Sequence, residues 1–97
     1  MAKGYWISAY RAVSDPAKLA KYAALAGPAI TAGGGKFLTR GEAAVTYEAG
    51  VKARTVVIEF PSLEAAIATH DGKAYQEALA ALDGGAERDL RLVEGAE

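Results

Sequence analysis

Glu59 is a carboxylate set inside an apolar, β-branched run, Val56-Val57-Ile58-Glu59-Phe60. Flanked by Ile58 and Phe60, it should be partly desolvated, which raises a carboxyl pKa unless a cation pairs with it. Arg40 and Arg54, on neighbouring segments of one hairpin, are the expected partners. The chemistry would be that of a general base, or of a polar anchor for a ligand in a cleft between sheet and helices, with Tyr75 nearby. The plainer alternative is a structural ion pair at a strand end. His70 is the only histidine. It could ligate haem or move protons, or it could sit at a helix C-terminus for the sake of the dipole. Trp6, Tyr10, Tyr22 and Tyr75 could line a pocket for an aromatic or amphipathic ligand, their polar tips giving orientation. They could equally be core and dimer contacts. Arg88 and Arg91 read as solvated or interfacial charges.

Composition removes several other chemistries. The chain has no cysteine, so thiolate catalysis, disulfides and cysteine-held zinc are excluded. One histidine excludes any site needing two imidazoles from one chain. Basic and acidic residues number 11 and 12, for a net charge of −1. The basic ones are scattered, whereas nucleic-acid binding needs a concentrated basic face. No apolar run approaches the roughly 18 residues of a membrane span. The opening MAKGYWISAY lacks the long apolar region of a signal peptide, so a soluble cytoplasmic protein is expected. No cofactor and no metal are expected.

At 97 residues there is room for one domain, spanning 1–97. Gly4 to Ala12 reads as the first strand, with Tyr5, Ile7 and Ala9 on one face and Trp6, Ser8 and Tyr10 on the other. Asp15-Pro16 starts a helix, an N-cap acceptor followed by proline at the first position. Leu19, Tyr22, Ala23, Ala26 and Ile30 give it an apolar stripe. A kink or short break is expected at Gly27-Pro28, and Gly33-Gly34-Gly35 ends the helix. That glycine run lacks the lysine and hydroxyl residue of a P-loop and follows a helix, so it reads as a cap and turn.

Lys36 to Arg40 is the second strand, broken by Gly41. Val45 to Glu48 reads as a short strand within a long irregular connection. Thr55 to Phe60 is the third main strand, stopped by Pro61. Ser62 caps a helix to about His70, with Glu64 near the positive end of its dipole. A further helix covers Lys73 to Leu82, with Tyr75, Ala78, Leu79 and Leu82 inward. Asp89 to Glu94 is the last strand.

The order β-α-β-β-α-β is the split βαβ, ferredoxin-like plan: an antiparallel sheet with helices on one face. Neither face of the first strand is plainly polar. The helix-free side of the sheet would therefore carry too much apolar area for a small monomer. A homodimer with the sheets packed face to face is the expected remedy.

GYWI at Gly4 to Ile7, Asp15-Pro16, GGGKFLTRG at Gly33 to Gly41, and Arg54 before VVIEFPSLEAA form a pattern with AYQEAL at Ala74 to Leu79 and LVEG at Leu92 to Gly95. With these pieces the chain resembles, over essentially its whole length, the small, mostly bacterial proteins of domain of unknown function 1330, in the dimeric α/β-barrel superfamily. The resemblance implies a ferredoxin-like subunit that pairs into a barrel, and no established reaction. Some superfamily relatives degrade haem or oxidise small aromatics. The chain departs from the family at His70, where an aromatic is usual, and at Gly72-Lys73-Ala74-Tyr75, where Ser-Pro-Glu-Tyr is usual. The arginine that the family often carries near Asp83 is missing.

Three functional expectations follow. The first is a homodimeric, small-molecule-binding or cofactor-free enzyme-like protein with a pocket near Arg40, Glu59 and Tyr75. The second is a non-catalytic interaction or assembly module in which the aromatics serve only the dimer. The third is a haem-dependent or aromatic-substrate monooxygenase-like protein.

Overall fold

The computed structural model describes residues 2–96. Its elements are β1 (Gly4–Val13), α1 (Pro16–Ala32), β2 (Lys36–Glu42), β3 (Arg54–Phe60), α2 (Leu63–Asp71), α3 (Lys73–Leu82) and β4 (Ala86–Glu94). The four-stranded sheet has the order β2-β3-β1-β4, every pairing antiparallel. All three helices cover one face, so the chain is α+β with the ferredoxin-like plan. No helix among the described residues is long and apolar enough to cross a membrane.

Local chemistry fixes the helix starts. The Asp15 carboxylate accepts hydrogen bonds from the Ala17 and Lys18 amides, each at 3.1 Å, and Pro16 takes the first position. The Ser62 hydroxyl accepts from the Ala65 amide at 3.1 Å. Gly4 brings β1 against this second cap. A Cβ at that position would stand 2.5 Å from the Ser62 carbonyl oxygen, so only glycine admits the approach.

Two expectations are corrected. α1 runs unbroken through Gly27-Pro28. The proline costs one backbone hydrogen bond, but Tyr22, Ala26 and Ile30 on either side of it are buried on the sheet, and packing carries the helix through. Val45 to Glu48 is not a strand. Val45 and Tyr47 are exposed there and have no sheet partner to pack against. Two strands are longer than expected: β2 includes Gly41 and β4 begins at Ala86.

Alternation divides the sheet into two faces. Trp6, Ser8 and Tyr10 of β1, with Val56, Ile58 and Phe60 of β3, turn toward the helices and are buried. Tyr75, Ala66 and Ala78 close the core from the helix side, each with no exposed surface. The opposite face carries Tyr5, Ile7, Ala9, Val57 and Val93, with the Lys3–Glu59 and Arg91–Asp89 pairs around them.

Candidate ligand-binding site

A cavity of about 280 Å³ lies between α1 and the inner face of β1, β2 and β3. It exists because the helix stripe above the sheet is made of small residues at Ala23, Ala26 and Gly27. A Cβ added at Gly27 would meet no atom within 4 Å. Its floor is organised by the strand register. Phe37, Ile58 and Trp6 lie side by side across three strands. One step along, Arg40, Val56 and Ser8 do the same.

Ser8 is 3% exposed, and its Oγ has no hydrogen-bond partner among the described residues. It lines the cavity between two aromatic side chains, Trp6 and Tyr10. A buried hydroxyl without a partner is costly, on the order of 1–3 kcal/mol, so such groups in native proteins call for an explanation.

Arg40 reaches the cavity through an irregularity in β2. Phe37 pairs with Ile58 and Thr39 pairs with Val57, so Leu38 is the extra residue of a bulge. The bulge reverses the alternation and turns Arg40 to the same face as Phe37. Arg54 lies on that face by ordinary alternation with Val56. Both arginines are among the cavity's lining residues, and both are exposed to solvent. The Arg40 guanidinium stands 4.7 Å from the Phe37 ring centre.

Behind the cavity is a phenol–guanidinium cluster. The Tyr22 and Tyr75 hydroxyls are 2.8 Å apart and share a hydrogen bond. Arg88 is half-buried here instead of solvated. It donates to the Tyr22 hydroxyl at 3.0 Å and to that of Tyr75 at 3.5 Å. Its guanidinium also lies 4.8 Å from the Tyr22 ring centre and 5.6 Å from that of Tyr10. Burial pushes the Tyr22 phenol well above its usual value. Neighbouring Tyr75 adds to the rise, and Arg88 opposes it. Burial likewise raises the Tyr10 phenol against the pull of Arg88. Both phenols are neutral donors at ordinary pH. The Arg88 guanidinium is held firmly charged, because the two tyrosine oxygens outweigh its own desolvation.

The expected site is thus divided. Trp6, Tyr10, Arg40 and Arg54 meet at the cavity with Tyr22. Tyr75 lies in the core behind it, bonded to Tyr22. Glu59 is on the other face of the sheet, and the structure does not bring it to Tyr75. Alternation requires this, since Ile58 and Phe60 point inward. Its partner is neither Arg40 nor Arg54. Lys3 Nζ donates to Glu59 Oε1 at 3.1 Å, and the Tyr5 hydroxyl donates to Oε2 at 3.3 Å. The Lys3 hydrogen bond holds the carboxyl below the usual carboxylate range, opposite to the rise expected from desolvation alone.

His70 lies in the last turn of α2, with Nδ1 3.0 Å from an Asp71 carboxylate oxygen. Its ring packs at 5.5 Å from that of Trp6 and 5.1 Å from that of Tyr75, and it does not line the cavity. Among the described residues no group of three or more His, Cys, Asp or Glu is placed to hold a metal ion.

Two residues of this region were not singled out as site residues by sequence reasoning. Ser8 carried a signal, being the one polar side chain between Trp6 and Tyr10 on a single strand face. Arg88 did too, since alternation with Leu90 and Leu92 puts it on their face.

The described residues lining the cavity offer hydroxyls and guanidiniums and include no carboxylate, histidine or lysine. They can donate hydrogen bonds and stabilise negative charge, whether carried by a ligand or developing on it. They supply no group able to remove a proton at neutral pH.

Residues 3–96 match the family Domain of unknown function (DUF1330), and the chain belongs to it. No curated protein matches the sequence. Among solved structures, the chain is similar to the RPA0582 protein of unknown function from Rhodopseudomonas palustris, with 17% identity, a TM-score of 0.73, and coverage of 99% of this chain and 84% of that one. It is also similar to SnoaB, a cofactor-independent oxygenase from Streptomyces nogalater, at 12% identity and a TM-score of 0.66, covering 100% of this chain and 96% of the other. A hypothetical Arabidopsis thaliana protein shows 13% identity and a TM-score of 0.63, with 99% and 88% of the two chains covered. At these identities the likeness is one of fold.

Proposed function

We propose that this protein is a cytoplasmic homodimer that binds a small molecule in the cavity between α1 and the sheet. The observation that carries this reading is the buried, unpartnered hydroxyl of Ser8 between Trp6 and Tyr10 in the cavity wall. A volume of 280 Å³ suits a compact ligand, near the small end of the roughly 300–1,000 Å³ common for such sites. Turnover, if the ligand is a substrate, would rest on stabilised negative charge, because the lining holds no base. SnoaB, a cofactor-independent oxygenase, carries cofactor-free chemistry on this fold in another protein. That does not transfer its reaction here. His70 is a poor axial ligand in this reading, since its ring packs against Trp6 and Tyr75 and does not line the cavity.

The test is cavity filling. Gly27→Leu extends a side chain into open space and should abolish ligand-induced thermal shifts in a small-molecule screen while leaving the fold intact. Retention of every shift in that variant would remove the cavity from consideration.

A second reading, an assembly module without chemistry, is favoured by the helix-free face. Tyr5, Ile7 and Val57 lie there in register, and Leu38 and Val93 are 49% and 46% exposed. Dimerisation through this face belongs to both readings. Light scattering of Val57→Asp, read beside the ligand screen, separates it from the cavity: a monomer that still binds ligand supports the first reading, and a native dimer that responds to no ligand supports the second.

A further inference from the structure

The cavity wall carries charge of one sign. Arg40 and Arg54 belong to it and no carboxylate does. Neither guanidinium is joined to a carboxylate among the described residues. Glu42 stands directly across the ladder from Arg54 and still forms no ion pair with it. Arg88 adds a third positive charge from behind the Tyr10 and Tyr22 rings, its hydrogen bonds going to neutral phenols. Such a surface repels cations and favours an anion strongly enough to offset part of its desolvation.

The register also sets a length. Arg40, Val56 and Ser8 occupy successive strands at one level. Adjacent strands are about 4.8 Å apart, so the Arg40 and Ser8 backbones are separated by about 10 Å. Between them the floor is the Val56 side chain and the roof is Ala23, Ala26 and Gly27. Such a slot is apolar and thin, with a guanidinium pair at its outer end and one hydroxyl at its inner end.

We infer that the ligand, taking the cavity reading as given, is a small carboxylic acid. Its carboxylate lies between Arg40 and Arg54, its flat or branched apolar body rests on Val56, and a neutral hydroxyl or carbonyl oxygen meets Ser8 Oγ. A planar carboxylate matches the guanidinium fork. The unpartnered serine requires the second oxygen. The bulge at Leu38 is what brings the first charge onto this face, and bulges beside sites commonly serve to re-aim one side chain.

Titration calorimetry with 4-hydroxybenzoate, benzoate, 4-hydroxybenzamide and inorganic phosphate tests this. The acid should bind at least about tenfold tighter than the amide, the scale of one charged hydrogen bond. Arg40→Met and Arg54→Met should each weaken the acid about tenfold and leave the amide unchanged. Ser8→Ala should weaken 4-hydroxybenzoate and not benzoate. Thermal melts confirm that these variants remain folded. Equal binding of acid and amide would overturn the inference while the cavity reading stands. Phosphate binding as tightly as the acid would also overturn it, since the apolar body would then contribute nothing. Silence of every aromatic probe would overturn it too, and the response of Gly27→Leu to a broader screen would decide the cavity reading separately.

Discussion

The Arg40 guanidinium packs 4.7 Å from the centre of the Phe37 ring, on the same face of β2, although the two are an odd number of positions apart. Regular alternation would put them on opposite faces. The bulge at Leu38 reconciles them, and Phe37 then gives the arginine a surface to lie on. Because the pair is partly solvated, its coupling should be modest. A double-mutant cycle of Phe37→Leu and Arg40→Met, read by chemical denaturation, is expected to give about 0.5–1 kcal/mol. A coupling indistinguishable from zero would mean that the ring does not hold the guanidinium.

Glu59 and Lys3 make a prediction about acid stability. Lys3 holds the Glu59 carboxyl below its ordinary value in the fold. A depressed folded pKa means that the ionised form stabilises the fold. That contribution is complete above the unfolded carboxyl value of about 4.3 and is lost as pH falls through the folded value. Melting temperatures of the native protein and Glu59→Gln should therefore converge as pH drops from about 6 toward acid, with the native protein ahead only at the upper end (the interval set by the roughly 4.3 reference). Ligand binding in the cavity should be indifferent to this variant. A cavity response that vanished in Glu59→Gln would contradict the separation of the two faces.

The Tyr22–Tyr75–Arg88 cluster makes a prediction at the other end of the pH scale. Tyr75→Phe keeps the buried ring and removes the oxygen shared by Tyr22 and Arg88. The expected cost is about 1–3 kcal/mol, because Tyr22 loses a partner in a buried site. Burial raises the Tyr22 phenol, so the folded state keeps a proton that the unfolded chain releases near pH 10. Stability is therefore full below about pH 10 and falls as pH rises above it. Alkaline melts should show a shallower fall for Tyr22→Phe than for the native protein.

The extent to which these arrangements are legible in the sequence differs from residue to residue. Asp15-Pro16 and Ser62 announce both main helix starts, because capping is a local bond between neighbours. The aromatic face of Trp6 and Tyr10 follows from period-2 alternation, and the same rule separates Glu59 from Ile58 and Phe60. Applied strictly, that rule alone takes Glu59 away from Tyr75 and from the inner face. Arg40 is different. Nothing in Lys36-Phe37-Leu38-Thr39-Arg40 marks a bulge, since no glycine or proline interrupts it. Its orientation depends on how β2 meets β3, a long-range pairing. The continuity of α1 through Pro28 is likewise a result of tertiary burial overriding a local breaker.

Gly27 and Gly4 are expected to respond to the same substitution in opposite directions. Gly27 is helical, and a Cβ there meets nothing within 4 Å. Gly27→Ala removes backbone freedom from the unfolded chain and should stabilise the protein by about 0.5–1 kcal/mol. Gly4 starts β1 against the α2 cap, where a Cβ would stand 2.5 Å from the Ser62 carbonyl oxygen and 2.6 Å from the Leu63 Cα. Both are backbone atoms of a capped helix start, so relief requires moving α2 away from the sheet. Gly4→Ala should cost about 1–3 kcal/mol, the usual range for overpacking. Thermal denaturation of the two variants checks both. The cavity gives the first a further signature: one methyl narrows the slot, so Gly27→Ala should weaken bulky ligands more than slender ones as it raises the melting temperature. A gain in stability with unchanged binding of every ligand size would place the ligand away from this stretch of α1.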